Sequence, residues 1–284
     1  MSDIGYLNGH FSPLEEIKIS PDDRGFLFGD GVYEVIRAYH GVPAFWEQHF
    51  NRLVRSAKEI QLHFSFDQPQ FQRLLLSGLQ QSGYQEGKIY IQVTRGVAPR
   101  EHTFPSNGEP TVFLAFRKMV ALPTEVCQQG VRVITLPDTR WHRCDIKSLN
   151  LLPNVLAKQK AREAKAFEGI FVRDGQVTEG ATSNIFAVKN GVLITPERNH
   201  FVLAGVTQQQ VATLAQANGF DVQFRPIPIS EFLHSDEVFL VGTTVEVLPV
   251  IQVNGQPIQD GKPGPISTAL QQKFSSYVAG LALP

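Results

Sequence analysis

The chain has 284 residues, a formal net charge of −1, 42% hydrophobic residues and 19% charged residues. This balance is typical of a globular protein and provides no electrostatic footprint for nucleic acid or an anionic membrane. The two cysteines are too few for a disulfide framework, and no apolar run has the length of a membrane span, so we expect a cytoplasmic protein.

Residues 1–119 predict an N-terminal α+β domain. Residues 32–39 are rich in β-branched and aromatic side chains, which favour a strand. Residues 45–62 place apolar side chains at helical spacing. The other elements predicted here are a helix over residues 71–79 and strands over residues 88–94 and 111–116.

Residues 118–123 predict a short linker, and residues 124–284 predict a C-terminal cofactor-binding domain. It opens with a strand over residues 131–136. A helix is expected over residues 150–166, with Pro153 tolerated in its first turn.

Turn sequences define the rest of this C-terminal domain. Asp174-Gly175 and Asn190-Gly191 lie between apolar runs and predict two hairpins. Strands and helices mix without the alternation of a doubly wound sheet, so the predicted class is α+β, with two small mixed domains. The remaining predicted elements are a helix over residues 206–217 that ends at Asn218-Gly219, a strand over 236–241, a turn at Asn254-Gly255 and a helix over 265–280.

Two runs, residues 141–150 and 178–184, contain a lysine and a distant carboxylate, Lys147 and Glu179. A pyridoxal phosphate enzyme needs both groups, because an amine must bond the cofactor aldehyde and a carboxylate must keep the ring nitrogen protonated. The attacking amine must be neutral, which apolar surroundings favour. The apolar neighbours expected to provide them are Ile146, Leu149, Leu151 and Leu152. Taken alone, Lys147 is also compatible with a surface lysine at the end of a strand.

The two runs resemble the signature segments of fold type IV pyridoxal phosphate enzymes, and the D-amino acid transaminases among them are the most similar. The resemblance extends from Asp23-Arg24-Gly25 to Pro249-Val250. It implies that Lys147 is the Schiff-base lysine and that Glu179 binds the pyridine nitrogen. It also implies a homodimer in which one subunit contributes a loop to its partner's active site.

A cofactor phosphate requires backbone amides and a cation, and helix N-termini provide such amides. Ordinary helix capping explains Val206 and Thr207 equally well on their own. The resemblance implies that Arg52, Val206, Thr207 and Thr243 bind the phosphate. It further implies that Leu203 packs under the pyridine ring.

Arg100 and His102 lie in a predicted loop with Gly96 and Pro99, and an arginine fork suits a carboxylate. An ordinary solvated loop is the alternative. The pair resembles the carboxylate-binding trap of D-amino acid transaminases, in which the matching tyrosine is Tyr33. Residues 181–183 and Gly242 depart from the serine-rich pattern of that group, which leaves the substrate preference open.

The resemblance therefore implies transamination between D-amino acids and 2-oxo acids, with pyridoxal 5′-phosphate as the cofactor. Lys147 would carry a proton between the substrate and the cofactor. The alternatives within the same fold are an aminodeoxychorismate lyase and a branched-chain L-amino acid aminotransferase. A cofactor-binding module without turnover is a further alternative, although Lys147 and Glu179 are both present. The histidines and cysteines show no metal-ligand spacing, so we expect no metal site.

Overall fold

The structure is a computed structural model that describes residues 1–281 and divides the chain into two compact units. Unit 1 consists of Met1–Val120, Ile146–Asn150 and residues 278–281. Unit 2 consists of Ala121–Asp145 and Leu151–Tyr277.

The boundary at Val120 falls inside the predicted linker, but the segment Ile146–Asn150 returns to unit 1. The sequence had placed this segment, which contains Lys147, in the C-terminal domain. Two backbone contacts explain the return, because Tyr33 N–H donates to Lys147 O at 3.0 Å and Leu149 N–H donates to Gly31 O at 3.1 Å. The segment thus extends the hydrogen bonding of unit 1.

Unit 1, as far as it is described, contains a six-stranded antiparallel sheet with the strand order β2-β1-β6-β5-β3-β4. The strands are β1 (Ile4–Leu7), β2 (His10–Pro13), β3 (Gly31–Tyr39), β4 (Val42–Pro43), β5 (Gly87–Thr94) and β6 (Thr111–Lys118). The helices are α1 (Arg24–Phe28), α2 (Trp46–Glu59) and α3 (Gln68–Ser82), together with a 3₁₀ turn at Leu14–Glu16.

The sequence explains these elements. Side chains on β3 alternate between the two faces of the sheet, so Val32 and Ile36 enter the core while Tyr33 lies on the other face. The helix α3 begins at a reciprocal capping box between Asp67 and Gln70. The hairpin formed by β1 and β2 was not predicted, although its turn, Asn8-Gly9, is a sequence typical of hairpins.

Unit 2 contains a mixed sheet with the strand order β12-β11-β10-β14-β15-β7-β8-β9-β13, and β16 also pairs with β15. The pairs β11–β12, β15–β7 and β7–β8 are parallel. The strands are β7 (Val131–Pro137), β8 (Glu168–Arg173), β9 (Gln176–Gly180), β10 (Asn184–Lys189), β11 (Val192–Thr195), β12 (Val222–Phe224), β13 (Ile227–Pro228), β14 (Glu237–Gly242), β15 (Glu246–Val253) and β16 (Gln256–Pro257).

The predicted turns of unit 2 are confirmed. Asp174, Asn190 and Asn254 all have φ near +50°, and the glycine after each of them also has positive φ. This backbone conformation is that of a type I′ turn, which asparagine, aspartate and glycine tolerate best.

The remaining helices are α4 (Thr124–Gln129), α5 (Leu152–Glu163), α6 (Val206–Ala217), α7 (Ile229–Leu233) and α8 (Pro265–Ala279). The predicted bounds of α6 are confirmed. The predicted start of α5 at Asn150 is wrong, because that residue lies in the segment bound to β3 and its side chain contacts Gly29 O and Ser148. None of the helices within residues 1–281 is long and apolar enough to cross a membrane.

Candidate functional site

Lys147 is held in unit 1 between β3 and α2. Besides the bond from Tyr33 N–H, its own N–H donates to Ser56 Oγ at 3.2 Å. The side chain is half-buried, and Nζ lies 4.3 Å from the centre of the Tyr33 ring. The structure therefore brings the predicted lysine together with the predicted substrate-binding tyrosine.

The apolar surroundings predicted for Lys147 are only partly present. Ile146 is buried and belongs to the hydrophobic core of unit 1. Leu152 is 69% exposed, so its predicted contribution is wrong. It begins α5, where Val155 and Leu156 are exposed on the same part of the helix.

Arg52 belongs to a buried charge cluster on the core side of β3. Its Nε and Nη2 donate to the two oxygens of Glu34 at 2.7 and 2.8 Å, and His49 Nδ1 lies 2.7 Å from Glu34 Oε2. Burial opposes ionisation of Glu34, but the charges and hydrogen bonds of Arg52 and His49 lower its pKa. Burial lowers the pKa of His49, so the neutral ring is favoured. The bidentate contact uses two of the five guanidinium donors.

Arg100 and His102 lie on an exposed loop of unit 1, and both contact the ring of Phe28. The Arg100 guanidinium is 5.3 Å from that ring centre, as is the imidazole of His102. Arg24 fixes the loop backbone, because its guanidinium donates to the carbonyls of Glu101, His102 and Thr103. Arg24 is buried and also pairs with Asp30.

Glu179 lies at the end of β9 in unit 2, and its carboxylate accepts three hydrogen bonds. Arg140 Nη1 donates to Oε1, and Asn184 Nδ2 and Leu203 N–H donate to Oε2 at 3.2 and 3.1 Å. The structure therefore brings Glu179 together with the predicted ring-packing residue Leu203. Every one of these contacts is from a donor, so the carboxylate is surrounded as an anion requires.

Burial raises the pKa of Glu179, while the charge of Arg140 opposes that rise. Arg140 itself is shared, since its Nε and Nη2 each donate to Asp138 at 2.9 Å. Burial disfavours the charged form of Arg140, but Glu179 and Asp138 outweigh it and raise its pKa. We take the pair as ionised, because donors contact both carboxylate oxygens, so a proton on either oxygen would face a donor and not an acceptor.

The helix α6 begins directly after the Leu203 loop. Its N-cap is Gly205, which provides no side-chain cap, and the first N–H groups of a helix have no partner within the helix. Val206 and Thr207 are both buried in this first turn. The N-terminus of α6 thus has no side-chain cap, and uncapped helix N-termini are a common type of anion-binding site.

Thr243 lies in the turn between β14 and β15 and is half-buried. Gly242 precedes it, and a Cβ built there would lie 3.7 Å from Thr182 O. The two places where the sequence departs from the serine-rich pattern are therefore adjacent in unit 2.

Sequence reasoning missed four residues of these clusters: Arg24, Glu34, Arg140 and Asn184. A signal existed for Arg140 and Asn184, which stand beside the first run and at the end of the second. No such signal marks Glu34, whose partners lie on α2. Within residues 1–281, no group of three histidine, cysteine, aspartate or glutamate residues could hold a metal ion.

The fold is that of a class IV aminotransferase. The sequence profile of the family Amino-transferase class IV matches residues 31–253, so the chain belongs to this family. Membership confirms the predicted aminotransferase and its cofactor, pyridoxal 5′-phosphate.

Curated relatives extend the comparison over nearly the whole chain. The D-alanine aminotransferase of Staphylococcus epidermidis is 42% identical over 273 residues, which covers 96% of this chain and 97% of the relative. The D-alanine aminotransferase of Bacillus licheniformis is 42% identical over 276 residues, with the same coverage. The predicted resemblance to D-amino acid transaminases is therefore confirmed.

Solved structures confirm the predicted fold type. A branched-chain amino acid aminotransferase of T.th., solved with pyridoxamine 5′-phosphate, superposes with a TM-score of 0.91 at 28% identity. That comparison covers 99% of this chain and 95% of the other. The Escherichia coli branched-chain amino acid aminotransferase gives a TM-score of 0.90 at 27% identity, covering 99% and 96% of the two chains.

Proposed function

We propose that this protein transfers amino groups between D-amino acids and 2-oxo acids with pyridoxal 5′-phosphate, and that Lys147 and Glu179 are among the residues that bind this cofactor. The observation that carries the proposal is the environment of Glu179. It is a buried carboxylate that accepts from Arg140, Asn184 and the Leu203 amide. An ionised carboxylate of this kind is suited to accept the N–H of a pyridinium ring.

The residues present fit the rest of the cofactor. Gly205 leaves the amides of Val206 and Thr207 uncapped, as a phosphate requires. We assign the phosphate to these two residues with Arg52 and Thr243, and the ring face to Leu203. When bound, the cofactor supplies an aldehyde for a covalent link to an amine and a ring that withdraws electrons.

Lys147 has two roles in this proposal. Its Nζ would hold the cofactor covalently and, once the substrate amine had taken its place, would act as the base that removes the proton from the substrate Cα and as the acid that returns it at C4′. Glu179 holds the ring nitrogen in its charged form and so stabilises the negative charge that develops. Tyr33 lies beside Nζ, and we assign it to the substrate carboxylate together with Arg100 and His102.

The D configuration and the substrate class follow from the relatives. The chain matches D-alanine aminotransferases over 96% of its length, whereas its identity to the branched-chain enzymes is 26–28%. The predicted carboxylate trap, Arg100 and His102, supports the same choice. We propose D-alanine and 2-oxoglutarate as substrates of the type that the enzyme accepts.

A substrate panel tests this function. The purified protein should convert D-alanine with 2-oxoglutarate, with ping-pong kinetics, and should turn over L-leucine much more slowly. Preferential use of L-leucine would identify a branched-chain aminotransferase instead. Pyruvate release from aminodeoxychorismate without an added oxo acid would identify the lyase.

The variant Lys147→Ala tests the covalent link. It should lose the visible absorbance of the linked cofactor and nearly all transamination, whereas Lys262→Ala, at an exposed position, should retain both. A borohydride-reducible link at another lysine in Lys147→Ala would contradict the assignment.

We further propose a homodimer with shared active sites, located in the cytoplasm. Exposed apolar side chains on both units support association of subunits, with Phe26 77% exposed in unit 1 and Leu152 at the start of α5 in unit 2. Arg100 and His102 are exposed as well. Residues that enter the active site of a partner subunit are expected to be exposed in a single subunit. Cys127 and Cys144 do not form a disulfide bond, which supports a reducing compartment.

Mixed dimers test the shared site. Lys147→Ala and Arg100→Ala subunits should each be poorly active alone. Unfolded, mixed and refolded together, they should regain activity, because one of the two sites of a mixed dimer then has both intact residues. No recovery, with mixed dimers verified by mass, would mean that Arg100 serves its own subunit.

A further inference from the structure

The link between the two cofactor-binding parts of unit 2 is a side chain to which no role has been assigned. Asn184, the first residue of β10, is 6% exposed. Its Nδ2 donates to Glu179 Oε2 at 3.2 Å and to Leu203 O at 3.0 Å. One amide group therefore fixes both the carboxylate and the loop that leads into α6.

The other end of the same side chain determines which residue can begin that helix. A Cβ built on Gly205 would lie 1.9 Å from Asn184 Oδ1 and 2.9 Å from its Cγ. Gly205 has φ −69° and ψ 131°, an extended conformation that any residue adopts. Gln208 Cβ is also near, at 3.0 Å, but the contact with the Asn184 carboxamide is much shorter. Lack of space beside Asn184, and not backbone geometry, is therefore the main reason for glycine at this position.

This exclusion affects the helix N-terminus. N-cap positions favour serine, threonine, aspartate and asparagine, whose side chains bind the open amides of their own helix. The contact with Asn184 keeps such a side chain away from position 205, so the amides of Val206 and Thr207 stay open to an external anion.

We infer that Asn184 is a positioning residue that, through its interlock with Gly205, sets the ring-nitrogen carboxylate and the phosphate-binding helix end at one fixed separation. This inference rests on the proposed cofactor assignment. Asn184 touches neither reacting atoms nor substrate in this scheme. It acts through Glu179 at one end of its carboxamide and through Gly205 at the other.

The first test uses Asn184→Ala, with Asn218→Ala as the matched control. Asn218 also donates one side-chain hydrogen bond, to Leu214 O at 2.8 Å, but it lies at the exposed end of α6. Asn184→Ala should raise the dissociation constant for pyridoxal 5′-phosphate about tenfold or more, a size expected when a hydrogen bond to a charged group is lost. It should also lower kcat while KM for D-alanine changes less than about twofold, because the substrate-binding residues are intact.

The second test asks whether a second substitution restores the cofactor affinity that the first one lowers, which a merely structural role of Asn184 would not produce. Gly205→Ala alone should weaken cofactor binding, because its Cβ meets the Asn184 carboxamide. In the double variant Asn184→Ala/Gly205→Ala that clash is gone, so part of the affinity for pyridoxal 5′-phosphate should return. Inorganic phosphate should raise the melting temperature of the cofactor-free protein by binding at the N-terminus of α6, which can be measured without turnover. This increase should be larger in the double variant than in Gly205→Ala.

Two outcomes would overturn the inference. One is Asn184→Ala with unchanged cofactor affinity and kcat. The other is a double variant that binds pyridoxal 5′-phosphate more weakly than Gly205→Ala. Failure of the proposed function is distinguishable, because the wild-type protein would then not transaminate D-alanine, whereas the phosphate-dependent melting of the variants would still report on the interlock.

Discussion

Two buried glutamates of this protein each pair with an arginine, yet their pKa values move in opposite directions. The pKa of Glu34 in unit 1 is lowered, and the pKa of Glu179 in unit 2 is raised. Both side chains are almost fully buried, so burial alone does not explain the difference.

The number of hydrogen bonds from an arginine explains the difference. Arg52 donates one hydrogen bond to each oxygen of Glu34, and His49 adds a third. Arg140 gives only Nη1 to Glu179, because Nε and Nη2 contact Asp138. The other two hydrogen bonds to Glu179 come from neutral amide groups, the side chain of Asn184 and the backbone N–H of Leu203.

The difference agrees with the proposal that Glu34 has a structural role and Glu179 a functional one. Glu34 is neutralised within unit 1, so its ionised form contributes to stability. Glu179 stays ionised at a cost, and such incompletely compensated groups concentrate at functional sites. The proposed pyridinium partner would supply the missing positive charge.

The largest expected effect is that of Glu34→Gln on stability. Removing one partner of a buried ion pair leaves the other charge uncompensated, and we expect a loss of about 3 kcal/mol in the free energy of unfolding. The control Glu86→Gln removes a carboxylate that is 43% exposed and 3.5 Å from Arg37, so it should cost less than about 1 kcal/mol. Urea unfolding measures both variants, and equal losses would show that burial of the pair adds nothing.

The same substitution at Glu179 should show the reverse pattern. In Glu179→Gln the amide oxygen still accepts from Arg140, but the amide nitrogen faces Asn184 Nδ2 and Leu203 N–H, which are both donors. We therefore expect a stability loss of about 1–2 kcal/mol, smaller than that of Glu34→Gln. Turnover should fall at least about tenfold, or about 1.4 kcal/mol in activation free energy, because a neutral amide does not hold the ring nitrogen charged. Steady-state kinetics on D-alanine provides the measurement, and an unchanged kcat would assign this role to another residue.

The stability should change with pH in one direction because of His49 and Glu34, and in the opposite direction because of Glu179. His49 and Glu34 have lowered pKa values in the folded state, so their contributions are present above the ordinary values and are lost as the pH falls, first below about 6.5 and then below about 4.5. The raised pKa of Glu179 acts oppositely, since stability is lost as the pH rises above about 4.5.

His49→Gln isolates the first of these contributions. The glutamine amide can still donate to Glu34 but does not titrate, so the fall in stability between about pH 6.5 and 4.5 should become shallower. His200→Gln, at a side chain that is 70% exposed, provides the control. Unfolding by urea at several pH values decides the matter, and parallel curves for wild type and His49→Gln would show that His49 does not titrate with folding.

Local sequence signals predicted much of the fold. The turns at Asp174-Gly175 and Asn190-Gly191 need positive φ at both central residues, and few residue types permit it. The bounds of α6 followed from periodicity and from Asn218-Gly219 at its end. The start of α5 was not predictable in this way, because contacts of residues 146–149 with β3 decide it.

The candidate site residues likewise differ in whether a local sequence signal marks them. Lys147 and Glu179 stand in signature runs, so resemblance was sufficient to propose them. Arg140 reaches Glu179 from 39 positions earlier in the chain, and Glu34 needs α2 to bring its partners. The charge state of both carboxylates depends on these distant contacts, which no local pattern encodes.

The smallest expected effect uses Cys144 as a reporter of the charge on Glu179. Burial raises the pKa of this thiol to about 11, and the negative charge of Glu179 contributes to the rise. In protein freed of cofactor, Glu179→Gln removes that charge, so the Cys144 thiolate fraction and its rate of reaction with a thiol reagent at pH 8 should increase about two- to threefold. The comparison is made in a Cys127→Ser background, with melting curves to verify that each protein is folded. An unchanged rate would mean that Glu179 is already protonated without the cofactor. The two glutamates would then differ in charge, with Glu34 ionised and Glu179 neutral.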